Sequence, residues 1–466
     1  MPEPRVFAQA AARREEILDH ALLHGLLKRD AAGRLVHAPF SLTPCPIDAA
    51  NLERLAGLTP AFNRLALAVA RDGGFLADAL AQAARTDAFT ATLLRLARAS
   101  AGSQPLALQV VRSDYFLHAG PAGPHPVQVE LNTMAASYPA LSARVNAVHA
   151  YLYAGTELEG ALVPNDPLAP ICEAMVQALA RYGHPAAAAF MVVQPDEANI
   201  FDQRLLQFAL RARGVAMERI TLAEIGREGR LREGHLVLRG RPAGLVYFRA
   251  GYAPEDLADP DALAGRERIA HSSAIEVPTL HAQLAGAKKV QQVLTEPAVL
   301  RRFCGEDDAA ALAATFAGLY GLDQPIGPHP AAPTAADAAL ADPAAWVLKP
   351  QREGGGNNFF DAELTARLRS LPPDERHQYI LMERIRPLTH FARTYVDRAE
   401  WRGTAVSEIG RYGVLLAEGT RVLLNADTGY LVRTKPEGVQ EGGVSAGFGH
   451  LNSLYLADPA RPLAAD

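Results

Sequence analysis

The sequence predicts an α/β protein of two or three domains, and three observations support this prediction. Strand-like runs alternate with a helical run between residues 186 and 283, which is typical of a compact α/β unit. The first hundred residues are rich in Ala and Leu at helical spacing, as in ARREEILDHALLHGLLKR. From Trp346 to about Arg433 the chain is rich in β-like runs, which predicts a mainly antiparallel sheet that could close over a ligand.

In chain order, the predicted elements begin with a helical N-terminal layer that ends near Ser100. Two strands follow, LALQVVR from Leu106 and VQVELN from Val127. The α/β unit contains the strands AAFMVVQ, HLVLR and GLVYFR and the helix NIFDQRLLQFALRARG. Residues 327–345 are rich in Ala and Pro and indicate a linker. The run AAWVLK predicts a short buried strand, and YILMERI, GTAVSEIG, YGVLLAE and TRVLLN then predict the strands of the antiparallel sheet.

The composition excludes several classes of function. With 466 residues, 49% of them hydrophobic and 21% charged, the chain has the make-up of a soluble globular protein. A net charge of −5 without a basic stripe argues against nucleic acid as a partner. No apolar run reaches the ~18 residues that span a membrane, and the charged N-terminus lacks the apolar core of a secretory signal. The three scattered cysteines form no Cys/His cluster, which favours a reducing, cytoplasmic setting without structural zinc.

The stretch KPQREGGGNN, Lys349 to Asn358, combines a cation, a carboxylate and three glycines directly after a predicted strand. Glycines allow backbone amides to approach an anion closely. Lys349 could neutralise phosphate charge, and Glu353 could hold Mg²⁺ through carboxylate oxygens. The stretch contains neither a Walker A loop nor a dinucleotide fingerprint. By itself it indicates a phosphate site, and a flexible turn is the alternative.

Further polar residues stand at the ends of predicted strands. Glu130 and Asn132 are two residues apart, which places them on one face of a strand, and their oxygens suit Mg²⁺. Arg112 ends the neighbouring strand, and Arg249 with Tyr252 follows the strand GLVYF. Arg112 could fork onto a phosphate or a carboxylate. Arg249 could recognise a carboxylate, with Tyr252 as an aromatic wall. The alternatives are an ordinary polar strand end and a surface arginine.

Two more segments have the residue types of a nucleotide site. Lys288 opens a predicted helix, where its charge could add to an anion site, although a solvated lysine is the alternative. Met382 and Glu383 close the strand YILME. Apolar side chains beside a strand edge suit an adenine ring, although a core strand is the alternative.

A second Gly-rich stretch, Leu431 to Gly449, contains Arg433, Lys435 and Glu441. Loops of this composition often close on a substrate, and a disordered tail is the alternative. No Ser/His/Asp or Cys/His arrangement stands out, so the sequence does not indicate covalent nucleophilic catalysis.

Taken together, these motifs resemble the eukaryotic glutathione synthetases, a family of ATP-grasp ligases. The matching segments keep the family order along nearly the whole chain: RSDY, VELNT, ANIFDQR, VYFRAGY, QLAGAKKVQQ, ATFAGLYGLD, VLKPQREGGGNN, YILMERI, SEIG and LVRTK. The resemblance implies an ATP-grasp fold with a helical N-terminal layer, an inserted Rossmann-like substrate domain and an antiparallel-sheet lid. The implied boundaries are 1–185, 186–287 for the inserted domain and 288–466, with the lid at about 338–420.

The reaction implied by the resemblance is the ATP-dependent ligation of γ-glutamylcysteine and glycine. ATP phosphorylates the cysteinyl carboxylate, and the glycine amine then attacks the acyl phosphate, giving glutathione, ADP and phosphate. Such chemistry needs positioning and charge neutralisation rather than a protein nucleophile. The family also implies bound Mg²⁺, with two ions expected, and a homodimer.

The resemblance also implies a role for each matching residue. The residues implied in catalysis are Arg112, Lys288, Lys349 and Arg433. Those implied at ATP are Lys288, Lys349, Gly354, Gly355, Asn358, Phe360, Met382, Glu383, Ile385, Glu408, Lys435 and Glu441. Those implied at Mg²⁺ are Glu130, Asn132 and Glu353. Those implied at the substrates and product are Arg112, Ser137, Glu197, Asn199, Gln203, Arg249, Tyr252, Arg433, Val444 and Ser445.

Five positions depart from the residues that are usual in the family. They are Ala135 in place of Ser, Ala250 in place of an acidic residue, Phe360 in place of Tyr, Glu441 in place of Asp and Ser445 in place of Ala. None of them removes an implied metal ligand or phosphate cation. They leave the acceptor open, so a ligase that uses β-alanine or serine is one alternative. A nucleotide-binding protein without turnover is a second, which the intact metal ligands and lysines disfavour.

Overall fold

The computed structural model describes most of the chain. The described residues are 3–30, 32–100, 104–121, 123–327, 333–352, 356–396, 398–440, 442–444, 447–458 and 463. Five residues of the implied site lie outside the described residues, namely Glu353, Gly354, Gly355, Glu441 and Ser445. Their roles stay predictions.

The described residues form sixteen α-helices and twenty-one strands. The helices are α1 Arg5–Ala11, α2 Arg14–Leu23, α3 Ala49–Ala70, α4 Gly73–Leu80, α5 Ala88–Ala99, α6 Pro139–Leu152, α7 Leu168–Tyr182, α8 Ile200–Ala212, α9 Leu222–Glu228, α10 Pro260–Ala270, α11 Leu280–Ala285, α12 Lys288–Leu294, α13 Pro297–Phe303, α14 Glu306–Ala313, α15 Ala335–Ala341 and α16 Asp361–Ser370. The strands are β1 Leu27–Arg29, β2 Leu35–His37, β3 Phe40–Ser41, β4 Cys45–Ile47, β5 Leu106–Gly120, β6 Gly123–Asn132, β7 Ala188–Val192, β8 Met217–Ile220, β9 Arg230–Arg232, β10 His235–Leu238, β11 Arg241–Phe248, β12 Ile275–Val277, β13 Leu319–Gly321, β14 Trp346–Pro350, β15 Phe359–Phe360, β16 Tyr379–Glu383, β17 Thr389–Val396, β18 Ala399–Glu418, β19 Arg421–Pro436, β20 His450–Asn452 and β21 Leu454–Leu456.

The largest sheet has seven strands in the order β17-β3-β20-β19-β18-β5-β6. Side chains of β5 alternate between its two faces. Leu108 and Val110 belong to the apolar cluster that includes α6 and α7, whereas Tyr115 packs with α3 on the other side. Further along β5, the face of Leu108 and Val110 continues with Arg112 and Asp114. One face of the sheet therefore changes from apolar core to charged site along a single strand.

The predicted α/β unit is confirmed as a largely parallel sheet with helices. Strands β8, β7, β11 and β12 pair in parallel, and β10 and β9 extend the sheet in antiparallel fashion. The predicted helix is α8, and the predicted strands are β7, β10 and β11. Glycines let α9 and α10 pack closely, since a Cβ on Gly226 would lie 1.9 Å from the carbonyl oxygen of Asp261. The implied boundaries of this domain, 186 and 287, stay predictions.

The strands over 346–433 pair in antiparallel fashion, as predicted, but they belong to two sheets rather than one. Strands β14, β15 and β16 pair with β13 in a four-stranded sheet, whereas β17, β18 and β19 join the seven-stranded sheet. Strand propensity locates such segments but does not specify their partners, and β18 pairs with β5 from the N-terminal part of the chain. The second Gly-rich stretch, predicted as a loop, is strand β19 as far as Pro436. The helical N-terminal layer also contains the short strands β1 to β4.

The Ala- and Pro-rich segment 327–345 contains a helix where the sequence predicted a linker. Helix α15 begins after Thr334, whose hydroxyl accepts a hydrogen bond from the Asp337 backbone amide at 3.2 Å. The Asp337 carboxylate accepts one from the Thr334 amide in return. Alanine is the best helix former, so a capped alanine run becomes helical. Within the described ranges, no helix has the length and apolar character needed to cross a membrane.

His149 on α6 is buried without solvent exposure. Its Nε2 lies 2.8 Å from the carbonyl oxygen of Ser41, so this nitrogen carries the proton. Its Nδ1 accepts from the hydroxyl of Ser453. Burial lowers the pKa of His149 to about 4, opposed by the hydrogen bond to Ser41. The neutral imidazole is therefore part of the folded structure.

We expect acid to destabilise the protein through His149 between its unfolded pKa, about 6.5, and its folded pKa, about 4. In this window the folded protein binds fewer protons than the unfolded chain, so stability is complete above the window and declines as the pH falls. At pH 5 the loss from this group is about 2 kcal/mol. The denaturant midpoint of His149→Gln should fall less than that of the wild type between about pH 7 and about pH 5. The exposed His271 provides the control His271→Gln, and equal declines in all three proteins would contradict the prediction.

Candidate functional site

A buried charge network joins strands β5, β18 and β19. Asp114 has no solvent exposure, and its carboxylate accepts hydrogen bonds from Arg112 at 2.6 and 2.8 Å. The same carboxylate accepts from Arg433 at 3.0 Å. The Arg433 guanidinium also donates to Glu408. Two arginines and two carboxylates therefore compensate one another where water is excluded.

Glu130 on β6 lies beside two lysines. The Lys288 ammonium donates to the Glu130 carboxylate at 2.9 Å, and Lys349 donates to the carbonyl oxygen of Val129 at 3.0 Å. Burial alone would raise the pKa of Glu130, but the two lysines and Arg433 outweigh it and hold the pKa well below its ordinary value. Glu130 is therefore an anion near neutral pH.

Glu408 has the opposite shift. Burial raises the pKa of Glu408, Arg433 opposes this effect, and the neighbouring carboxylates of Asp114 and Glu130 reinforce it. Glu408 thus interacts unfavourably with the carboxylates of Asp114 and Glu130, and Arg433 offsets part of this repulsion.

Asn132 is oriented by Asp114. Its side-chain nitrogen donates to the Asp114 carboxylate at 3.0 Å. Because a carboxylate only accepts, this nitrogen must face Asp114, and the amide oxygen is turned away from it. On the paired strands, Glu130 is opposite Asp114 and Asn132 is opposite Arg112. Among the described residues, no group of three or more His, Cys, Asp or Glu side chains could hold a metal ion.

The four-stranded sheet turns one face toward this network. Leu348 packs with α15 and α16, and its neighbour Lys349 points to the opposite face. Met382 and Phe360 each lie cross-strand from Val347, which is two positions before Lys349 on β14. Both side chains therefore share the face of Lys349. Met382 is buried and Phe360 is half-buried. The hydrogen bond from Lys349 to β6 fixes this face against the charge network.

The other residues implied at ATP lie at the margin of this face. The exposed Glu383 has its carboxylate 3.4 Å from the Tyr320 hydroxyl, and Ile385 follows it in a half-buried position. Asn358 and Tyr379 line a cleft of about 840 Å³ on the side of α16. The role implied for Asn358 at ATP stays a prediction.

The loop after β19 connects the two sheets. The Lys435 ammonium lies 5.9 Å from the centre of the Phe116 ring and donates to the backbone oxygen of Gln440. The Gln440 side chain donates in turn to Asp361, the first residue of α16, at 2.7 Å. Val444 is buried in the cluster with α6 and α7. Lys435 is therefore held between the charge network and the four-stranded sheet.

A second group of implied substrate residues lies at the start of α8. The Glu197 carboxylate accepts from the Asn199 backbone amide at 2.8 Å and from the side chain of Gln203. The side-chain oxygen of Gln203 accepts two hydrogen bonds from Arg219 at 3.0 and 3.1 Å. Because arginine only donates, this contact fixes which way the Gln203 amide faces. The sequence analysis missed Arg219, which stands on β8 without a recognisable motif.

Arg249 forms an ion pair with Asp202 at 3.0 Å, and their side chains are 2% and 0% exposed. Asp202 also accepts the backbone amides of Tyr138 and Ala140 at 3.0 and 2.9 Å, which caps α6 from a distant helix. The Nε of Arg249 is buried without a hydrogen-bond partner in the described part of the chain. Tyr252 lies nearby with its hydroxyl 3.4 Å from the side chain of Gln194.

Ser137 lies between the charge network and the ion pair of Arg249 and Asp202. Its backbone oxygen accepts from Arg112 at 3.3 Å and from the Tyr412 hydroxyl. The next residue, Tyr138, has a left-handed φ of 72° and donates its amide to Asp202. The loop between β6 and α6 therefore runs from the charge network to the Arg249 pair.

The sequence analysis missed two carboxylates, and only one of them had a recoverable signal. Asp114 follows Arg112 by two positions, just beyond the predicted strand LALQVVR, and a longer strand would place both side chains on one face. Asp202 precedes Gln203 in the helix, and nothing in the local sequence indicates its pairing with Arg249.

The chain is similar to characterised proteins along nearly its whole length. The family model for the eukaryotic glutathione synthase ATP-binding domain matches residues 8–456. Relatives include the chloroplastic glutathione synthetase of Arabidopsis thaliana, 35% identical over 93% of this chain and 83% of that protein. The glutathione synthetase of Homo sapiens is 35% identical over 94% of this chain and 95% of that protein. The solved apo structure of a glutathione synthetase-like effector from Globodera pallida has a TM-score of 0.77 at 21% identity and covers 98% of both chains, which supports the predicted α/β fold of the ATP-grasp type.

Proposed function

This chain belongs to the eukaryotic glutathione synthase family, and we propose that it joins γ-glutamylcysteine to glycine in an ATP-dependent reaction. One observation carries the proposal: cationic side chains converge on one face of the seven-stranded sheet beside Glu130. They are Arg112, Lys288, Lys349 and Arg433. The cysteinyl carboxylate takes the γ-phosphoryl group of ATP, and the glycine amine then displaces phosphate and forms the peptide bond. Such a concentration of cations suits a phosphoryl group in transfer.

We propose that Lys288 and Lys349 bind the phosphates of ATP. Both lysines are about 95% buried, so their charges act in a medium that screens them less than water does. Met382 and Phe360 share the face of Lys349 and provide apolar contact for the adenine ring. The protein thereby neutralises phosphate charge and orients the nucleotide without a covalent step.

Glu130 and Asn132 fit the role of Mg²⁺ ligands. The Glu130 pKa is held low, so its carboxylate is charged, and the hydrogen bond to Asp114 turns the Asn132 amide oxygen outward. Carboxylate and amide oxygens are the donors that Mg²⁺ prefers. A bound Mg²⁺ would add positive charge at the phosphates. Glu353, the third implied ligand, lies outside the described residues.

We assign the dipeptide end of the site to the residues just before α8 and just after β11. The unpartnered Nε of Arg249 suits a substrate carboxylate. The Glu197 carboxylate, oriented by Gln203, suits a substrate amino group. These two contacts would hold the γ-glutamyl moiety, while Arg112 and Arg433 face the carboxylate that is phosphorylated.

The proposed reaction is tested by measuring phosphate release from Mg-ATP and γ-glutamylcysteine with and without glycine, and by determining the product mass. We expect glycine-dependent release and the mass of glutathione. Release with β-alanine or serine alone would indicate a different acceptor, and no release with any acceptor would indicate a nucleotide-binding protein without turnover. The names of the Arabidopsis and human relatives favour glycine.

We also propose that two copies of the chain associate. Leu35 in the β1–β2 hairpin and Phe208 on α8 are 56% and 64% exposed. The hairpin lies next to α8, since the Arg29 guanidinium is 5.9 Å from the centre of the Phe201 ring, and Phe201 and Phe208 are seven positions apart on one helix face. Burying such side chains against a second copy would be favourable.

We expect light scattering to give twice the 49.8 kDa mass of one chain. Leu35→Glu combined with Phe208→Glu should shift the wild-type mass to that of a single chain, because charges would be buried in the contact. Leu231→Glu, which changes an exposed leucine on β9, is the control and should leave the mass unchanged. An unchanged mass in the double variant would place the contact elsewhere.

A cytoplasmic location is the compartment that we propose. Cys45, Cys172 and Cys304 are free thiols, which fits a reducing environment. The Arabidopsis relative is named as chloroplastic. Fluorescence microscopy of a tagged chain in its native cell tests the proposal.

A further inference from the structure

We propose that Asp114 is a positioning residue that sets the direction of three site side chains, an inference that rests on the proposed function. These side chains are Arg112, Asn132 and Arg433, and each donates to the Asp114 carboxylate. Asp114 is fully buried on the strand and acts through its neighbours rather than on the substrate.

Asp114 accepts four hydrogen bonds, three at Oδ2 and one at Oδ1. An ionised carboxylate has about four acceptor positions. Arg112 donates twice, through Nε and Nη2, and Asn132 and Arg433 donate once each. The bidentate pairing fixes the plane of the Arg112 guanidinium, and its remaining Nη1 donates to Ser137. One carboxylate thus orients two substrate-facing cations and one implied metal ligand together.

The neighbouring strand β18 leaves space for the ion pair of Asp114 and Arg112. Gly410 on β18 pairs with Asp114 across the sheet. A Cβ at Gly410 would lie 2.5 Å from the Asp114 Oδ1 and 2.8 Å from the Arg112 Cδ, well inside contact distance. Any residue larger than glycine would therefore displace the ion pair. Gly410, the glycine of the SEIG motif, is therefore required for a steric reason that is separate from backbone flexibility.

The first test is Asp114→Asn, which keeps the shape of the side chain but replaces one acceptor by a donor. At least one of the three donors would then face another donor. We expect kcat/KM for γ-glutamylcysteine to fall about 100-fold, while KM for ATP changes less than about threefold. A purely structural role would lower the folded fraction and leave KM for both substrates unchanged in the folded enzyme.

A pair of glycine variants keeps the proposal testable if Asp114→Asn does not fold. Gly410→Ala places its Cβ against Asp114, whereas Gly413→Ala, on the same strand, places its Cβ 1.9 Å from the Asn63 side chain of α3. Both variants should lose stability. Only Gly410→Ala should raise KM for γ-glutamylcysteine, by about tenfold. KM values for Gly410→Ala that match those of Gly413→Ala would overturn the proposal.

Kinetics of the wild-type enzyme distinguish a failure of this proposal from a failure of the proposed function. Glycine-dependent turnover in the wild type, with unchanged kinetics in Asp114→Asn and Gly410→Ala, would refute the positioning role alone. A wild type without phosphate release for any acceptor would refute the proposed function and the role that rests on it. Turnover in the wild type with the expected rise in dipeptide KM supports both.

Discussion

Glu130→Gln should lower kcat about a thousandfold while leaving the protein folded. The Glu130 carboxylate accepts from Lys288 and lies near Lys349, and these cations keep its pKa low. Glutamine has the same length and still accepts one hydrogen bond from Lys288, so the local packing survives. It lacks the negative charge that balances two buried lysines and that suits a metal ligand. The variant should therefore slow phosphoryl transfer rather than weaken dipeptide binding.

Steady-state phosphate release under saturating Mg-ATP, γ-glutamylcysteine and glycine measures this effect. Raising the Mg²⁺ concentration should recover part of the activity of Glu130→Gln, because weaker metal binding can be offset by mass action. Glu173→Gln, which changes an exposed glutamate on α7, is the control and should match the wild type. Wild-type kcat in Glu130→Gln at low Mg²⁺ concentration would show that Glu130 does not act at the phosphate site.

The sequence motifs pointed to Arg112, Glu408 and Arg433, but Asp114 and the arrangement of these four side chains could not be predicted from them. Alternation along the strand VQVELN put Glu130 and Asn132 on one face. The structure adds the register of β6 against β5, which sets Asn132 opposite Arg112. That register depends on pairing across the whole sheet, and local propensity does not determine it.

Long-range ion pairs explain most of what the sequence did not predict. The carboxylate of Asp114 meets Arg433 across 319 positions of the chain. Strand β18 runs beside β5 rather than beside β16, which is why the predicted single C-terminal sheet is divided into two. Contacts of this kind have no local periodicity, because they exist only once distant strands have paired. Motif order indicated candidate residues, and only the fold shows which charges compensate one another.

Arg249→Met should lower the free energy of unfolding by about 3–5 kcal/mol and also raise KM for γ-glutamylcysteine. The stability loss follows because Asp202, with no solvent exposure, would keep a buried charge without its cation. The same carboxylate caps α6 through the amides of Tyr138 and Ala140, so the strain would reach the loop that carries Ser137. The KM effect follows because the Arg249 Nε has no partner in the described residues and suits a substrate carboxylate.

The double variant Arg249→Met with Asp202→Asn separates the two effects. Removing the carboxylate charge as well should make the double variant more stable than the sum of the single changes by about 2 kcal/mol, as measured by urea denaturation. KM for γ-glutamylcysteine should stay as high as in Arg249→Met, because the substrate contact is not restored. If KM returned to the wild-type value along with stability, Arg249 would act only by supporting the fold. If KM stayed high while stability recovered, the same guanidinium would serve both the helix cap and the substrate.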